Sequence, residues 1–215
     1  MIKPNISLAD WKKHFESLLN QSTTAKYDKV HEPTDYCEIT DTPITEKEIQ
    51  EAIRHLKRNK ASGWDGIPAE VLKNARYIIP FLKAFFNALL DAGYFPKPWC
   101  MSIIVPLYKK GNADEPGNYR GVSLLSVVSK VFTYILNKRL TEWAEEQSVI
   151  AKEQAGVRSD HSTVDHIFTF IAIIQKSMSQ GKRKAYVAFI DYEKAFDSVD
   201  RTCLWSLLCK RGLSR

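Results

Sequence analysis

An α+β, helix-rich fold with a small sheet packed on helices is what this sequence predicts. Apolar residues recur at three- and four-residue steps in several long stretches, the period of an amphipathic helix. Residues 102–125 read as strand, turn-rich loop and strand. Residues 185–190 form an apolar, aromatic-rich run of strand length that ends on Asp191.

The bulk numbers set limits. A chain of 215 residues can bury a real core, as one domain or two small ones. Its 44% hydrophobic and 11% aromatic content excludes a disordered chain. The formal net charge of +6 fits a partner that carries phosphates. Cys37, Cys100, Cys203 and Cys209 form no Cys-x-x-Cys pair, which argues for reduced thiols rather than a zinc site. The N-terminus lacks the apolar core of a signal peptide, and no apolar run reaches the ~20 residues of a membrane span. The expectation is an intracellular protein of nucleus or cytoplasm, not secreted and with no membrane partner.

The elements follow in order. Residues 1–44 are expected to hold an N-terminal helix and a linker. Leu8, Trp11, Phe15, Leu18 and Leu19 make a helical stripe, and periodicity is lost from Gln21 to Pro43. Thr45-Glu-Lys-Glu48 is a capping box, and the helix behind it buries Ile49, Ala52, Ile53 and Leu56. That helix runs into Lys57-Arg58-Asn59-Lys60-Ala-Ser-Gly63-Trp64-Asp65-Gly66. Cations at a helix C-terminus offset the macrodipole, while the glycine-rich turn sets cations beside backbone N–H groups in a way that suits phosphate. Lys57, Arg58 and Lys60 are therefore candidate nucleic-acid contacts. Pro68 suits a first helical turn. Around residues 80–92 Phe81, Leu82, Phe85, Phe86, Leu89 and Leu90 nearly encircle a helix, which predicts that it is buried, and Gly93 ends it.

Residues 102–108 are the first strand, with Pro106 pointing to an edge or a bulge. After the loop, residues 119–125 return as the second. Hairpin geometry gathers Lys109, Lys110 and Arg120 at its root, where Arg grips phosphate through a planar fork and Lys acts as a point charge. The helix of residues 127–145 turns Val128, Val131, Ile135, Leu140 and Trp143 inward and Lys130, Lys138 and Arg139 outward. A turn carrying Arg158 precedes a helix capped by Ser162 or Thr163, which buries Val164, Ile167, Phe168, Ile171, Ile174 and Met178. A last helix after Asp200 turns Leu204, Leu207 and Leu208 inward, with Gly212 near its end.

A carboxylate at the end of a buried strand sits where a site can be wet, and Mg²⁺ prefers such oxygens. Asp191 is thus either a metal ligand or the cap of the turn that follows it. Asp197 has an ordinary structural reading as an acceptor for turn N–H groups.

Several blocks together resemble the reverse transcriptases of non-LTR (LINE-like) retrotransposons. They are residues 59–70, residues 105–111 with 118–125, residues 153–158 with Ser162 and Thr163, and residues 189–199. Their order and approximate spacing are those of the family. The resemblance implies the fingers and an incomplete palm of a right-hand polymerase. Residues 1–44 remain a helix and linker, residues 45–184 are fingers-like and include the basic hairpin 102–125, and residues 185–215 begin a palm. It implies RNA-directed DNA polymerase chemistry by two Mg²⁺ ions on an RNA template and DNA primer, with deoxynucleoside triphosphates as substrates. Asp191 would be the catalytic, metal-binding carboxylate and the Tyr192 carbonyl a further ligand. Backbone N–H groups near Lys194 and Ala195 would face the triphosphate, and Phe196 would exclude a ribose 2′-hydroxyl. Lys109, Lys110 and Arg120 would close over the nucleotide, while Lys57, Arg58, Lys60 and Arg158 meet nucleic acid.

Some residues depart from the family pattern. Gly121-Val122 stands where Pro-Ile is frequent, and Gly156-Val157-Arg158 where Gly-Phe-Arg is. No Asp-Asp dipeptide occurs in the sequence, so the second aspartate segment of the family's site is missing, with the thumb; a longer chain would have to supply palm and thumb. The expectation is a truncated reverse transcriptase domain, inactive alone. A non-catalytic nucleic-acid-binding module is the alternative. A phosphohydrolase with Asp191 as nucleophile ranks well below both, since position 193 is Glu and Ala195-Phe196 follows.

Overall fold

The structure is a computed structural model that describes residues 5–20, 37–156, 158, 160–179, 184, 186–192, 195–196 and 199–213. The predicted linker falls mostly outside these residues, as do Lys194 and Asp197. Two compact units form, Met1–Trp143 with Asp197–Arg215, and Ala144–Phe196.

The first unit opens with α1 (Leu8–Leu19). Its N-cap hydroxyl, on Ser7, accepts from the Asp10 N–H, and the Asp10 carboxylate accepts from the Ser7 N–H, a capping box with Asp in the usual Glu place. A single turn, α2 (Glu38–Asp41), precedes α3 (Glu46–His55), whose predicted Thr45–Glu48 box forms. Next come α4 (Ala69–Asn74), entered through Pro68, and α5 (Ile79–Asp91), closed by Gly93 at φ 57°. Strands β1 (Ile103–Tyr108) and β2 (Tyr119–Leu124) pair antiparallel in register Val105 to Val122 and Leu107 to Arg120. Both are edges of a two-stranded sheet, which is why Pro106 is tolerated. Helix α6 (Val127–Glu146) follows.

The core lies among α3, α4, α5 and α6. Ile49, Ala52 and Ile53 pack with Leu72, Leu82, Phe86, Val131, Phe132 and Ile135, and the Phe86 and Phe132 rings stand 5.2 Å apart. The Asn87 side chain mimics a strand partner, accepting from the Ile44 N–H at 2.6 Å and donating to its carbonyl at 3.0 Å. Among the described residues no helix is long and apolar enough to cross a membrane.

Four expectations about burial need correction. α5 is not buried all round, because packing reaches it from one side and leaves Phe81 and Phe85 exposed. Arg139 does not face outward. It is 5% exposed, and all five of its N–H donors find acceptors on Glu48 and on the carbonyls of Thr40, Thr42 and Pro43. α7 (Thr163–Ser179), in the second unit, buries none of its apolar face, since no other complete helix or strand stands among the described residues of that unit. Finally, α8 (Arg201–Lys210) buries Ser206 while Leu204 and Leu207 are exposed.

Residues 186–190 are not a strand either. A strand is held by a ladder partner, and among the described residues the only ladder joins β1 to β2. Tyr186 and Phe189 are correspondingly 91% and 88% exposed.

Candidate nucleic-acid and nucleotide site

The hairpin is built from its own loop. Gly111 sits at φ 93°, where a Cβ would also meet the Asn118 side chain at 2.8 Å. Asn118 Nδ2 donates to the Asn112 carbonyl at 2.9 Å, the Tyr119 hydroxyl donates to the Ala113 carbonyl at 2.8 Å, and the Tyr108 hydroxyl donates to the Gly111 carbonyl. The Lys109 N–H donates to Asn118 O at 2.9 Å, one step beyond the strand ends.

Register then sorts the side chains. Ile104, Pro106, Tyr108, Tyr119 and Gly121 share one face, and α1 packs on it through Trp11 and Phe15. Val105, Leu107, Arg120 and Val122 share the other, because successive residues alternate. By the same alternation Lys109 falls on the Arg120 face. The two are diagonal neighbours across the pair, a relation that spans about 7–8 Å. Lys109, Lys110 and Arg120 are all exposed. Lys110 lies in the bend that follows.

In the basic turn, Asn59, Gly63, Trp64 and Asp65 each make a structural contact. Asn59 adopts φ 55°, and its N–H donates to Glu70 Oε1 at 2.7 Å. That hydrogen bond, with Arg58 and Lys73 nearby, holds the Glu70 carboxyl below its ordinary range. Gly63 lets the turn touch the backbone of Leu125 and Ser126, where a Cβ would come within 2.6 Å. The Trp64 indole N–H donates to the Pro98 carbonyl at 2.8 Å, and Asp65 Oδ1 accepts from the Ile67 N–H at 3.2 Å. Lys57, Arg58 and Lys60 are carried exposed on this frame, at the C-terminal end of α3.

In the second unit Arg158 is committed to the last turn of α6 and to the loop that follows it. Its Nε and Nη2 donate to the two Glu145 oxygens at 2.7 Å each, and Nη1 donates to the Ala151 carbonyl. The guanidinium holds the Glu145 carboxyl below the usual carboxylate range, and the carboxylate raises Arg158 in turn. Sequence reading missed Glu145, and no local pattern marked it. Asp191, Tyr192 and Phe196 are exposed, and Ala195 and Phe196 sit in a turn. Lys194 lies outside the described residues. Asp200 caps α8, accepting from the Cys203 N–H at 2.9 Å.

The donor set around Asp191 is small. Among the described residues no three of His, Cys, Asp or Glu come together. One carboxylate and the Tyr192 carbonyl fit part of a magnesium shell and leave the rest to water or other ligands. Asp191 stands in the second unit and the hairpin in the first.

Residues 107–214 match the reverse transcriptase (RNA-dependent DNA polymerase) family. The probable RNA-directed DNA polymerase from transposon BS of Drosophila melanogaster is 35% identical over 160 residues, which cover 73% of this chain and 17% of that protein. The corresponding protein of the fly X-element is 33% identical over 162 residues, covering 74% and 18%. The Pol polyprotein of the type-1 retrotransposable element R2 of Popillia japonica is 31% identical over 172 residues, covering 80% and 23%. The chain thus spans less than a quarter of the length of these relatives.

Proposed function

Because the chain belongs to the reverse transcriptase family of non-LTR retrotransposons, we propose that it carries the fingers and the first palm motif of an RNA-directed DNA polymerase. The observation that carries this reading is the hairpin. Its register sets Lys109 and Arg120 on one solvent-facing side, away from the face that α1 covers. Two cations so spaced suit the oxygens of a triphosphate, which Arg grips in bidentate fashion while Lys adds charge. Lys110, in the bend, is the secondary candidate. By the family pattern alone, backbone N–H groups near Lys194 and Ala195 would face a triphosphate, and the Phe196 ring, exposed in its turn, would stand against a ribose 2′-hydroxyl.

Asp191 is the catalytic carboxylate of this reading. It and the Tyr192 carbonyl would hold magnesium, which when bound stabilises the charge of a transferring phosphoryl group. The carboxylate's exposure lets it act as a ligand with little reorganisation. The exposed cations of the 57–60 turn would follow an RNA template or DNA primer backbone. Arg158 would have to leave Glu145 to join them, so it contributes least. One second reading is a nucleic-acid-binding module without catalysis, which the exposed cations of the 57–60 turn would serve without Asp191.

Binding of a fluorescein-labelled single-stranded RNA, titrated with salt, tests the electrostatic part. Log affinity is expected to fall linearly with log salt, with a slope of about −0.7 per neutralised phosphate. Replacing Lys57, Arg58 and Lys60 together by Ala should make that slope shallower. A flat salt response would remove the phosphate-binding reading.

A further inference from the structure

Helix α1 lies outside the segment matched by the family, and nothing above gives it a task. Its placement on the hairpin is specific. The Asn5 N–H donates to Asp114 Oδ1 at 2.8 Å, joining the chain ahead of α1 to the hairpin loop. Trp11 meets Tyr119 edge-on, with ring centroids 4.8 Å apart. Phe15, the one buried residue of α1, lays its ring edge over Gly121. A Cβ there would stand 2.6 Å from Phe15 Cε1 and 3.3 Å from Ile104 Cγ2.

Glycine inside a strand weakens it, so its presence asks for a reason. Gly121 is not at positive φ. The reason on hand is the approach of the Phe15 ring, which needs the space a side chain would fill.

A two-stranded hairpin alone is marginal in water and becomes ordered by packing against a helix or further strands. Its loop is held by its own hydrogen bonds, and its base is fixed where Gly63 touches Leu125 and Ser126. Between loop and base, α1 supplies the packing. Covering one face also decides which face remains open, and that open face carries Lys109 and Arg120.

We propose that α1 is a positioning element for the hairpin, and that Phe15, seated in the notch at Gly121, is the positioning residue that holds Lys109 and Arg120 toward a nucleotide triphosphate. The proposal rests on reading the hairpin as phosphate-binding. Phe15 and Arg120 are on opposite sides of the sheet, so any coupling between them runs through the order of the strands.

The full chain and its Phe15→Ala, Phe15→Leu, Arg120→Ala and Phe15→Ala/Arg120→Ala variants test this. Hydrogen exchange of hairpin peptides and binding of mant-dATP at low salt are the two readouts. Phe15→Ala should accelerate exchange in residues 103–124 while α3–α6 peptides keep their protection, and Phe15→Leu should restore most of it. Arg120→Ala should weaken mant-dATP binding by about tenfold, the cost of one charge-assisted contact. In the Phe15→Ala background the same replacement should cost less than about twofold, since the cation is no longer held in place. Unchanged exchange in Phe15→Ala overturns the proposal whatever the binding shows. An additive cycle, with Arg120→Ala costing the same in both backgrounds, also overturns it. If Arg120→Ala has no effect on the parent chain while exchange does change, α1 braces the hairpin but the phosphate reading fails, and with it the role assigned to Phe15.

Discussion

Two adjacent cations on α6 separate the worth of a buried contact from that of an exposed one. Arg139 is enclosed and spends its whole fork on Glu48 and on three carbonyls of the segment that enters α3. Lys138 reaches Glu51 at 2.7 Å, but both side chains remain substantially open to solvent. Removing one partner of a buried pair strands the other and its hydrogen bonds, so Arg139→Ala is expected to destabilise the chain by about 3–5 kcal/mol. Lys138→Ala should cost at most about 1 kcal/mol. Urea unfolding of both variants checks the contrast, and equal midpoints would refute it. Glu48 adds a pH dependence. Burial alone would raise its pKa, but hydrogen bonds from Arg139 and Thr45 together with the Arg139 charge hold it below the ordinary 4.5. A depressed folded pKa gives stability that is present above the unfolded value and is lost as pH falls through the folded one. The urea midpoint should therefore drop on acidification below about pH 4.5, and more steeply in the parent than in Glu48→Gln. Parallel profiles would show that Glu48 contributes nothing to acid sensitivity.

At the scale of elements, two glycines three residues apart do different work. Gly63 has ordinary backbone angles but touches the chain between β2 and α6, where an added Cβ would meet backbone atoms at 2.6–2.7 Å. Gly66 has open space around it and φ 68°. Backbone cannot swing aside as a flexible side chain can, so Gly63→Ala should cost at least about 3 kcal/mol, the upper range for overpacking. Gly66→Ala should cost only the left-handed penalty, about 1–2 kcal/mol. Thermal unfolding of the pair tests this, and the reverse order would sink the account of the turn. The same region shows what sequence can and cannot carry. Capping at Thr45–Glu48, the hairpin with its loop and the extent of α6 are local matters, written in residues a few places apart. Burial is a relation between distant segments. Hence the apolar stripe of α7 foretold a helix without foretelling its cover, and Arg139 looked like a surface cation because its partners lie about a hundred residues away. The Phe15–Gly121 contact escaped for the same reason. A lone glycine in a strand marks a close approach without saying of what.

For the whole molecule, the candidate site was legible as a family pattern more than as geometry. The order of the blocks named the family, and only that resemblance proposes roles for Asp191 and Phe196. What the pattern could not give is the company Asp191 keeps. Transfer of a nucleotide by two magnesium ions places four positive charges within a few ångströms, and Mg²⁺ demands a nearly complete set of oxygen ligands. The sequence has no adjacent aspartate pair, and the described residues bring no acidic cluster to Asp191. One carboxylate cannot offset that charge. The polypeptide of residues 1–215, given a poly(rA) template, an oligo(dT) primer, dTTP and Mg²⁺, is therefore expected to add no nucleotide. It should still bind the primer–template in a salt-sensitive manner, because the cations of the 57–60 turn and the hairpin are exposed without any help from Asp191. Primer extension that disappears in Asp191→Ala would overturn this, since it would mean that the chain assembles a working site around a single motif. Extension that survives Asp191→Ala would instead point to a contaminating polymerase. Binding without extension, with Asp191→Ala leaving the binding unchanged, is the result that the distribution of charge in this chain requires.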